Sequence, residues 1–132
     1  MRKTFKAELR VRSYELDFYG HVNNAIYLNY LEFARGEYLE QEGLSFKDLV
    51  EKDIFMIVAH AELDYKAPAH MSDLLEITGF VEKMGHKSMI LRQVIRNKKT
   101  DALVLDGRIT IVFVNGRRET ISIPDFLKEK FI

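Results

Sequence analysis

The pattern of hydrophobic and polar positions changes character along the chain. Residues 5–11 alternate strictly between apolar and charged side chains, which predicts a β-strand with one buried face. From residue 24 to residue 42 the apolar positions recur at steps of three and four, and Gly43 follows. This pattern predicts a long α-helix that the glycine ends. Because most of the circumference of this helix is apolar, other parts of the chain must surround it.

Four strand-like segments follow the helix. They occupy residues 55–66, 74–83, 88–96 and 102–115. Short connections between the last strands predict antiparallel neighbours, and short helical turns are expected at residues 45–52 and after Pro124. This order predicts an α+β fold in which a curved antiparallel sheet wraps around one long central helix. No repeat, linker or low-complexity segment interrupts residues 1–132, so we expect a single domain.

The composition is that of an ordinary globular protein. Hydrophobic residues make up 47% of the chain, and 20 basic side chains balance 20 acidic ones, so charge does not direct the protein to nucleic acid or to an anionic membrane. Cysteine is absent, which excludes disulfides and thiolate nucleophiles. The start of the chain lacks the apolar segment of a signal peptide, and no segment is apolar for long enough to span a membrane. We therefore expect a cytoplasmic protein.

Histidine is scattered along the sequence. The four histidines occupy positions 21, 60, 70 and 86, with no pair at helical spacing and no HExxH motif. Such an arrangement does not match the spacing of known metal-binding motifs. We expect no metal site.

Self-association is expected from the predicted sheet. A single sheet leaves edge strands unpaired, and edge-to-edge pairing of two copies covers one of these edges. The zero net charge also gives weak protection against association. We expect a homodimer, or a homotetramer.

The stretch DFYGHVNNAIY, residues 17–27, connects the first strand to the long helix. Its spacing DxxGHVNNxxY resembles the signature of hotdog-fold thioesterases of the 4-hydroxybenzoyl-CoA thioesterase family. The resemblance extends over nearly the whole chain, because the order of strand, motif loop, central helix and four strands is the same. It implies hydrolysis of acyl-CoA thioesters without a metal or organic cofactor, by dimers or tetramers whose active sites lie at the dimer interface.

The same stretch resembles the DxNxHVNN segment of plant acyl-ACP thioesterases, in which the Asp, Asn and His are catalytic. Asp17 and His21 match that segment, whereas Tyr19 stands where it has Asn. In the CoA-thioesterase branch the residues after the aspartate are usually small, whereas Phe18 and Tyr19 are bulky. A pocket lined by these two side chains and core aromatics would suit an aryl or medium acyl chain. The choice between CoA and acyl carrier protein stays open.

Thioester hydrolysis needs a nucleophile or base beside the carbonyl carbon, and donors for the oxygen as it becomes negative. The sequence has no cysteine and shows no Ser/His/Asp arrangement or GxSxG turn, so Asp17 is the candidate that attacks the carbon or activates water. The unpaired N–H groups and partial positive charge at a helix N-terminus stabilise an oxyanion. The backbone amides of Asn23 and Asn24 are placed to do so, and the resemblance assigns this role to Asn24.

Other residues of the motif have two interpretations each. Gly20 either forms only a turn or allows the close backbone approach that a bulky ligand requires. His21 either orients Asp17 or a water, or only bonds the loop. Tyr27 is either a core residue or part of the acyl pocket. We also expect two further residues of the motif, Val22 and Asn23, to bind the substrate.

Outside the motif, the resemblance implies two more groups of substrate-binding residues. His60 and Ala61 lie on a strand that in the family packs near the active site of the partner subunit. The turn EKMGHKS lies where the family binds the phosphates of CoA, and clustered cations suit phosphate. The candidates there are Lys83, Lys87 and Ser88, with Arg117 and Arg118 after the last strand as additional ones.

Two other functions are compatible with the predicted fold. One is a hotdog dehydratase or hydratase, which typically pairs a histidine with an acidic residue from another subunit. The other is a non-catalytic module that binds acyl-CoA. The GHVNN context of Asp17 favours hydrolysis over both.

Overall fold

The computed structural model describes residues 2–132. Its strands are β1 (Phe5–Arg10), β2 (Phe55–Tyr65), β3 (Leu74–Met84), β4 (Ser88–Asn97) and β5 (Leu103–Val114). Its helices are α1 (Ile26–Gln41), α2 (Phe46–Glu51) and α3 (Asp125–Phe131), and a short 3-10 turn covers Ser13–Glu15. The predicted α+β class and the predicted order of elements are confirmed. Each predicted strand lies within about one residue of the observed one, as expected where element ends fray.

The five strands form one sheet in the order β1-β3-β4-β5-β2, and every neighbouring pair is antiparallel. The sheet is curved around α1, which is the arrangement of the hotdog fold. Strands β1 and β2 are the two edges. The β2 edge is irregular, because its pairing with β5 shifts between Val58 and His60, and such bulges bend a strand.

Helix α1 lies against the inner face of the sheet and supplies much of the core. The aromatic side chain of Tyr38 crosses Gly79 of β3, and its hydroxyl donates to the carbonyl of Ile77 at 2.9 Å. Gln93 of β4, which is fully buried, donates to the carbonyl of Leu31 at 3.1 Å. These bonds fix the helix on the sheet. The α1 residues buried there are Tyr27, Tyr30, Leu31, Ala34, Tyr38 and Leu39.

Helix α1 begins at Ile26, two residues later than the helix predicted from residue 24. The reason is local, because the Asn23 side chain accepts the N–H of Ala25 and its carbonyl accepts the N–H of Ile26. An asparagine that bonds its own backbone in this way forms a turn rather than a helical residue. None of the helices within residues 2–132 is long and apolar enough to cross a membrane.

The outer edge of β2 remains open to solvent. Ile57, Val58 and Tyr65 are 47%, 44% and 50% exposed. Large apolar side chains along an unpaired edge mark a surface prone to association.

Candidate active site

The loop that carries Asp17 is folded back on itself by main-chain bonds. The N–H of Asp17 donates to the carbonyl of His21 at 2.7 Å, and the N–H of Gly20 donates to the carbonyl of Asp17 at 3.2 Å. Gly20 has a φ of 78°, a left-handed conformation that glycine adopts without steric cost. Leu16 bridges Val22 across the loop. The conformation around Asp17 is therefore set by main-chain bonds within its loop, and the N–H of Val22 connects the loop to the carbonyl of Ala69 at 2.8 Å.

The Asp17 carboxylate is held through one of its two oxygens. Oδ1 accepts the N–H of Tyr19 at 2.8 Å and the N–H of His21 at 3.1 Å. Oδ2 has no hydrogen-bond donor among residues 2–132. One oxygen therefore orients the group, and the other is available for chemistry.

The backbone amides before α1 differ in their availability. The N–H of Asn23 donates to the carbonyl of Glu15 at 2.9 Å, and the N–H groups of Ala25 and Ile26 both bond Asn23. The N–H of Asn24 has no acceptor within the described part of the chain. Of the two amides named from the sequence, Asn24 is thus the one that can receive a ligand oxygen.

A solvent-open cleft of about 680 Å³ brings these groups together. From the motif it is lined by Asp17, His21, Val22, Asn24 and Tyr27. The other wall is the end of β2 and the segment after it, and consists of Tyr65, Lys66, Ala67 and Pro68. Sequence reasoning missed this second wall, and the only signal for it was the proline that ends the strand.

Two tyrosines shape the floor of the cleft. Tyr65 donates its hydroxyl to the main-chain carbonyl of Asn24 at 2.9 Å, and its ring packs edge-on against Tyr27 with centroids 5.6 Å apart. Tyr27 is only 4% exposed, and burial raises the pKa of its phenol. Tyr27 is therefore both a core residue and a neutral wall of the cleft.

The ring of His21 does not hydrogen-bond the Asp17 carboxylate. It packs edge-on against the ring of His70, with centroids 5.0 Å apart, while its main chain bonds Asp17. The main-chain N–H of His70 donates to Asp73 Oδ2 at 2.9 Å. His21 thus orients Asp17 through its backbone, and its ring lines the cleft.

Phe18 and Tyr19 do not line the cleft. Their side chains project into solvent, with exposed fractions of 105% and 83%. The expectation that they form an acyl pocket is wrong for the single chain. The N–H of Tyr19 helps to hold Asp17 Oδ1, while both side chains are exposed.

The remaining substrate-binding candidates lie away from Asp17 within one chain. Lys83, Lys87 and Ser88 belong to the β3–β4 hairpin, and Ser88 is level with Val112 and with Ile57 at the start of β2. The Asp17 cleft lies at the opposite end of β2. His60 and Ala61 lie on the open edge of β2 between these two ends. Among residues 2–132 no group of three or more potential metal ligands is found.

A curved five-stranded antiparallel sheet around a single helix is the architecture of hotdog-fold thioesterases. The family profile of the thioesterase-like superfamily matches residues 11–131. The chain belongs to this superfamily, and the predicted enzyme class, a thioester hydrolase, is confirmed.

Individual relatives agree with this assignment. The long-chain acyl-CoA thioesterase FadM of Escherichia coli is 37% identical over 126 residues, which cover 95% of both chains. The chloroplastic acyl-acyl carrier protein thioesterase ATL3 of Arabidopsis thaliana is 24% identical over the whole of this chain and 70% of its own length. The crystal structure of the probable thioesterase YbaW from Escherichia coli superposes with a TM-score of 0.82 at 36% identity, covering 96% of this chain and 95% of that one.

Proposed function

We propose that this chain hydrolyses acyl-CoA thioesters to the free acid and CoA. The observation that carries the proposal is that Asp17 and Asn24 line the same cleft, the first with an unbonded carboxylate oxygen and the second with an unbonded main-chain N–H. The similarity to a long-chain acyl-CoA thioesterase over nearly the full length of both proteins supports acyl-CoA as the substrate, with long acyl chains as the first to test.

The chemistry follows from what each group offers. The thioester oxygen accepts the Asn24 N–H, and the partial positive charge of the helix N-terminus stabilises the negative charge that develops on that oxygen. Asp17 then acts in one of two ways. Its Oδ2 attacks the carbonyl carbon and expels the CoA thiolate, leaving an anhydride that water cleaves, or it takes a proton from the water that attacks. Both routes consume one water and release acid and thiol.

The complete site in this proposal contains two copies of the chain. A two-fold axis beside the open edge of β2 pairs this strand with its own copy in antiparallel orientation. Such pairing places the Phe55 end of one copy beside the Tyr65 end of the other. It covers the exposed side chains of Ile57 and Val58, and it brings His60 and Ala61 of each copy to the interface.

The same pairing supplies a binding surface for the carrier. The β3–β4 hairpin with Lys87 and Ser88 lies at the Phe55 end, so in the dimer it approaches the Asp17 cleft of the other copy. A cavity of about 830 Å³ at this end is lined in part by Phe55, Ile57 and Arg118. Arg118 lies in the turn after β5, where its N–H donates to the carbonyl of Asn115 at 3.0 Å. We assign phosphate binding to Lys83, Lys87, Ser88 and Arg118.

An acyl carrier protein is the second candidate carrier. The Arabidopsis relative is named for this carrier, and it aligns with the whole of this chain. The chemistry at Asp17 would be the same, because the thioester and the pantetheine arm are common to both carriers. Turnover of acyl-ACP in preference to the matching acyl-CoA would favour it.

The test is thiol release from short, long and aromatic acyl-CoAs by the wild type, Asp17→Asn and Asp17→Ala. We expect the wild type to release thiol, and both variants to lose roughly 10²-fold or more in kcat, the usual effect of losing a nucleophile or general base. Asp125→Asn, the same change at an exposed site on α3, is the control and should leave turnover unchanged.

Three results would contradict the proposal. Near-normal turnover in both Asp17 variants would exclude the assigned chemistry. Hydration of an enoyl-CoA without thiol release would indicate a hydratase. Tight binding of acyl-CoA with no turnover of any thioester would indicate a binding module.

A further inference from the structure

A buried carboxylate lies directly beneath the active-site loop. Glu15, at the end of the 3-10 turn, is 5% exposed. It precedes Asp17 by two residues, yet its side chain points into the core rather than into the cleft. Acidic side chains are seldom buried unless they are paired.

The Glu15 carboxylate is fully hydrogen-bonded. Its Oε1 accepts the hydroxyl of Tyr30 and the N–H of Arg12, both at 2.8 Å. Its Oε2 accepts Nε and Nη2 of Arg12 at 3.1 and 2.6 Å. Burial raises the pKa of Glu15, but the hydrogen bonds from Arg12 and Tyr30 outweigh burial, so its pKa lies below the usual range. Glu15 is therefore ionised at neutral pH.

Glu15 also contacts the segment that precedes the Asn24 amide and the helix that follows it. Its main-chain carbonyl accepts the N–H of Asn23, the residue before the free Asn24 amide. Its side chain holds Tyr30 of α1, whose ring packs edge-on against Tyr27 in the wall of the cleft, with centroids 5.8 Å apart. The loop and the helix are thus connected through one residue.

Stability alone does not account for this arrangement. The Glu15 side chain is 6% exposed and the Arg12 side chain 52%, so burial of the carboxylate costs desolvation while the exposed guanidinium weakens the attraction between the charges. A carboxylate that accepts four hydrogen bonds restricts the positions of its partners more than apolar packing does. Catalysis depends on such geometry, since a displacement of about 1 Å can reduce a rate about 10²-fold.

We infer that Glu15 is a positioning residue for thioester hydrolysis. It holds the Asp17 loop against the start of α1, so that the Asp17 carboxylate and the Asn24 amide can contact the same carbonyl group of the substrate. This inference rests on the proposed function. Glu15 does not touch the substrate, and acts through the loop and through Tyr30.

The test compares steady-state kinetics of Glu15→Gln, Tyr30→Phe and the double variant, with an acyl-CoA that the wild type hydrolyses. Glu15→Gln retains the shape but turns an amide N–H₂ toward the Arg12 guanidinium, so we expect kcat to fall about tenfold or more with KM nearly unchanged. Tyr30→Phe removes one hydrogen bond, and a smaller loss of about threefold is expected. Because both act on one unit, the double variant should lose less than the product of the two single effects.

The matched control is Glu42→Gln. Glu42 accepts a 2.6 Å hydrogen bond from Nζ of Lys3 in a partly buried ion pair. The chemical change is the same as in Glu15→Gln, but Glu42 follows the C-terminal end of α1, whereas the cleft lies at its N-terminal end. We expect its kcat to remain at the wild-type value.

Folding is measured alongside, by thermal unfolding and by the fraction of active molecules. A loss of kcat in folded Glu15→Gln and Tyr30→Phe supports positioning. The inference is overturned if folded Glu15→Gln and Tyr30→Phe keep the wild-type kcat, or if their losses match only the unfolded fraction. If Asp17→Asn is inactive in the same experiment, the proposed function stands in either case. If Asp17→Asn keeps its turnover, the proposed function itself fails.

Discussion

The hydroxyl of Tyr65 donates a 2.9 Å hydrogen bond to the main-chain carbonyl of Asn24. Tyr65 ends the open edge strand β2, and Asn24 carries the amide proposed to bind the thioester oxygen. The bond therefore connects the predicted dimer edge to the predicted oxyanion site. Its contribution to catalysis can be measured separately from the packing of the ring.

Tyr65→Phe removes this hydrogen bond and keeps the aromatic ring. A neutral hydrogen bond contributes about 0.5–1.5 kcal/mol, so we expect kcat to fall by about two- to tenfold. The measurement is steady-state thiol release. Tyr14→Phe is the control, because Tyr14 is 78% exposed and its hydroxyl has no partner within residues 2–132. Equal kinetics for the two variants would show that the bond does not support the amide.

Val58→Lys places a charge on the open edge of β2, near the Phe55 end. Charged residues on an edge strand oppose pairing with a second copy, so we expect the dimer to dissociate and thiol release to fall in parallel. Light scattering coupled to size-exclusion chromatography measures the mass. Val50→Lys makes the same change at an equally exposed site on α2 and should leave both mass and activity unchanged. A fully active monomer would contradict the composite site.

Lys87→Ala removes a cation from the β3–β4 hairpin. If this hairpin binds the phosphates of CoA, we expect KM to rise about three- to tenfold while kcat is unchanged, because the interaction is equal in ground and transition states. Raising the salt concentration should reduce the difference between variant and wild type. Lys99→Ala, in the solvated turn between β4 and β5, is the control. A rise in KM that is equally large for Lys99→Ala would argue against a specific site.

Gly79→Ala should destabilise the fold. A Cβ at Gly79 would lie 2.6 Å from the Tyr38 ring, and overpacking of this kind costs about 1–3 kcal/mol. Gly36→Ala on α1 should instead stabilise the fold. Its Cβ would lie 3.4 Å from the Phe46 ring, and alanine is favoured over glycine in a helix by about 1 kcal/mol. Urea unfolding measures the free energy of unfolding of each variant. If both variants were more stable than the wild type, or both less stable, the packing described here would be contradicted.

The stability of the protein should depend on pH through Glu15. Its folded-state pKa is lowered, so its ion pair stabilises the fold at pH values above the unfolded pKa of about 4.3. That stabilisation is lost as the pH falls from there through the folded-state pKa. We therefore expect the urea midpoint of Glu15→Gln to fall less between pH 7 and pH 3 than the urea midpoint of the wild type does. An identical loss in variant and wild type would show that Glu15 does not contribute to it.

Much of the fold was predictable because it depends on neighbours in the sequence. The alternation over residues 5–11 and the three- and four-residue steps after Asn24 each describe a face that must be buried. These two patterns predicted the bounds of β1 and α1 to within about two residues. The error at the start of α1 arose because Asn23 accepts hydrogen bonds from the backbone that follows it. The spacing of apolar residues does not predict such a turn.

The sequence by itself determined the class of fold and the order of its elements, because both follow from patterns of neighbouring residues, and it led to the proposal that Asp17 and Asn24 act together. Only the tertiary structure decided that Tyr65 and Lys66 form the opposite wall of the cleft, that Glu15 is buried, and that Phe18 faces solvent. These facts depend on contacts between segments that are distant along the chain. The burial of a charged side chain depends in addition on partners such as Tyr30, which hydrophobic patterning does not identify.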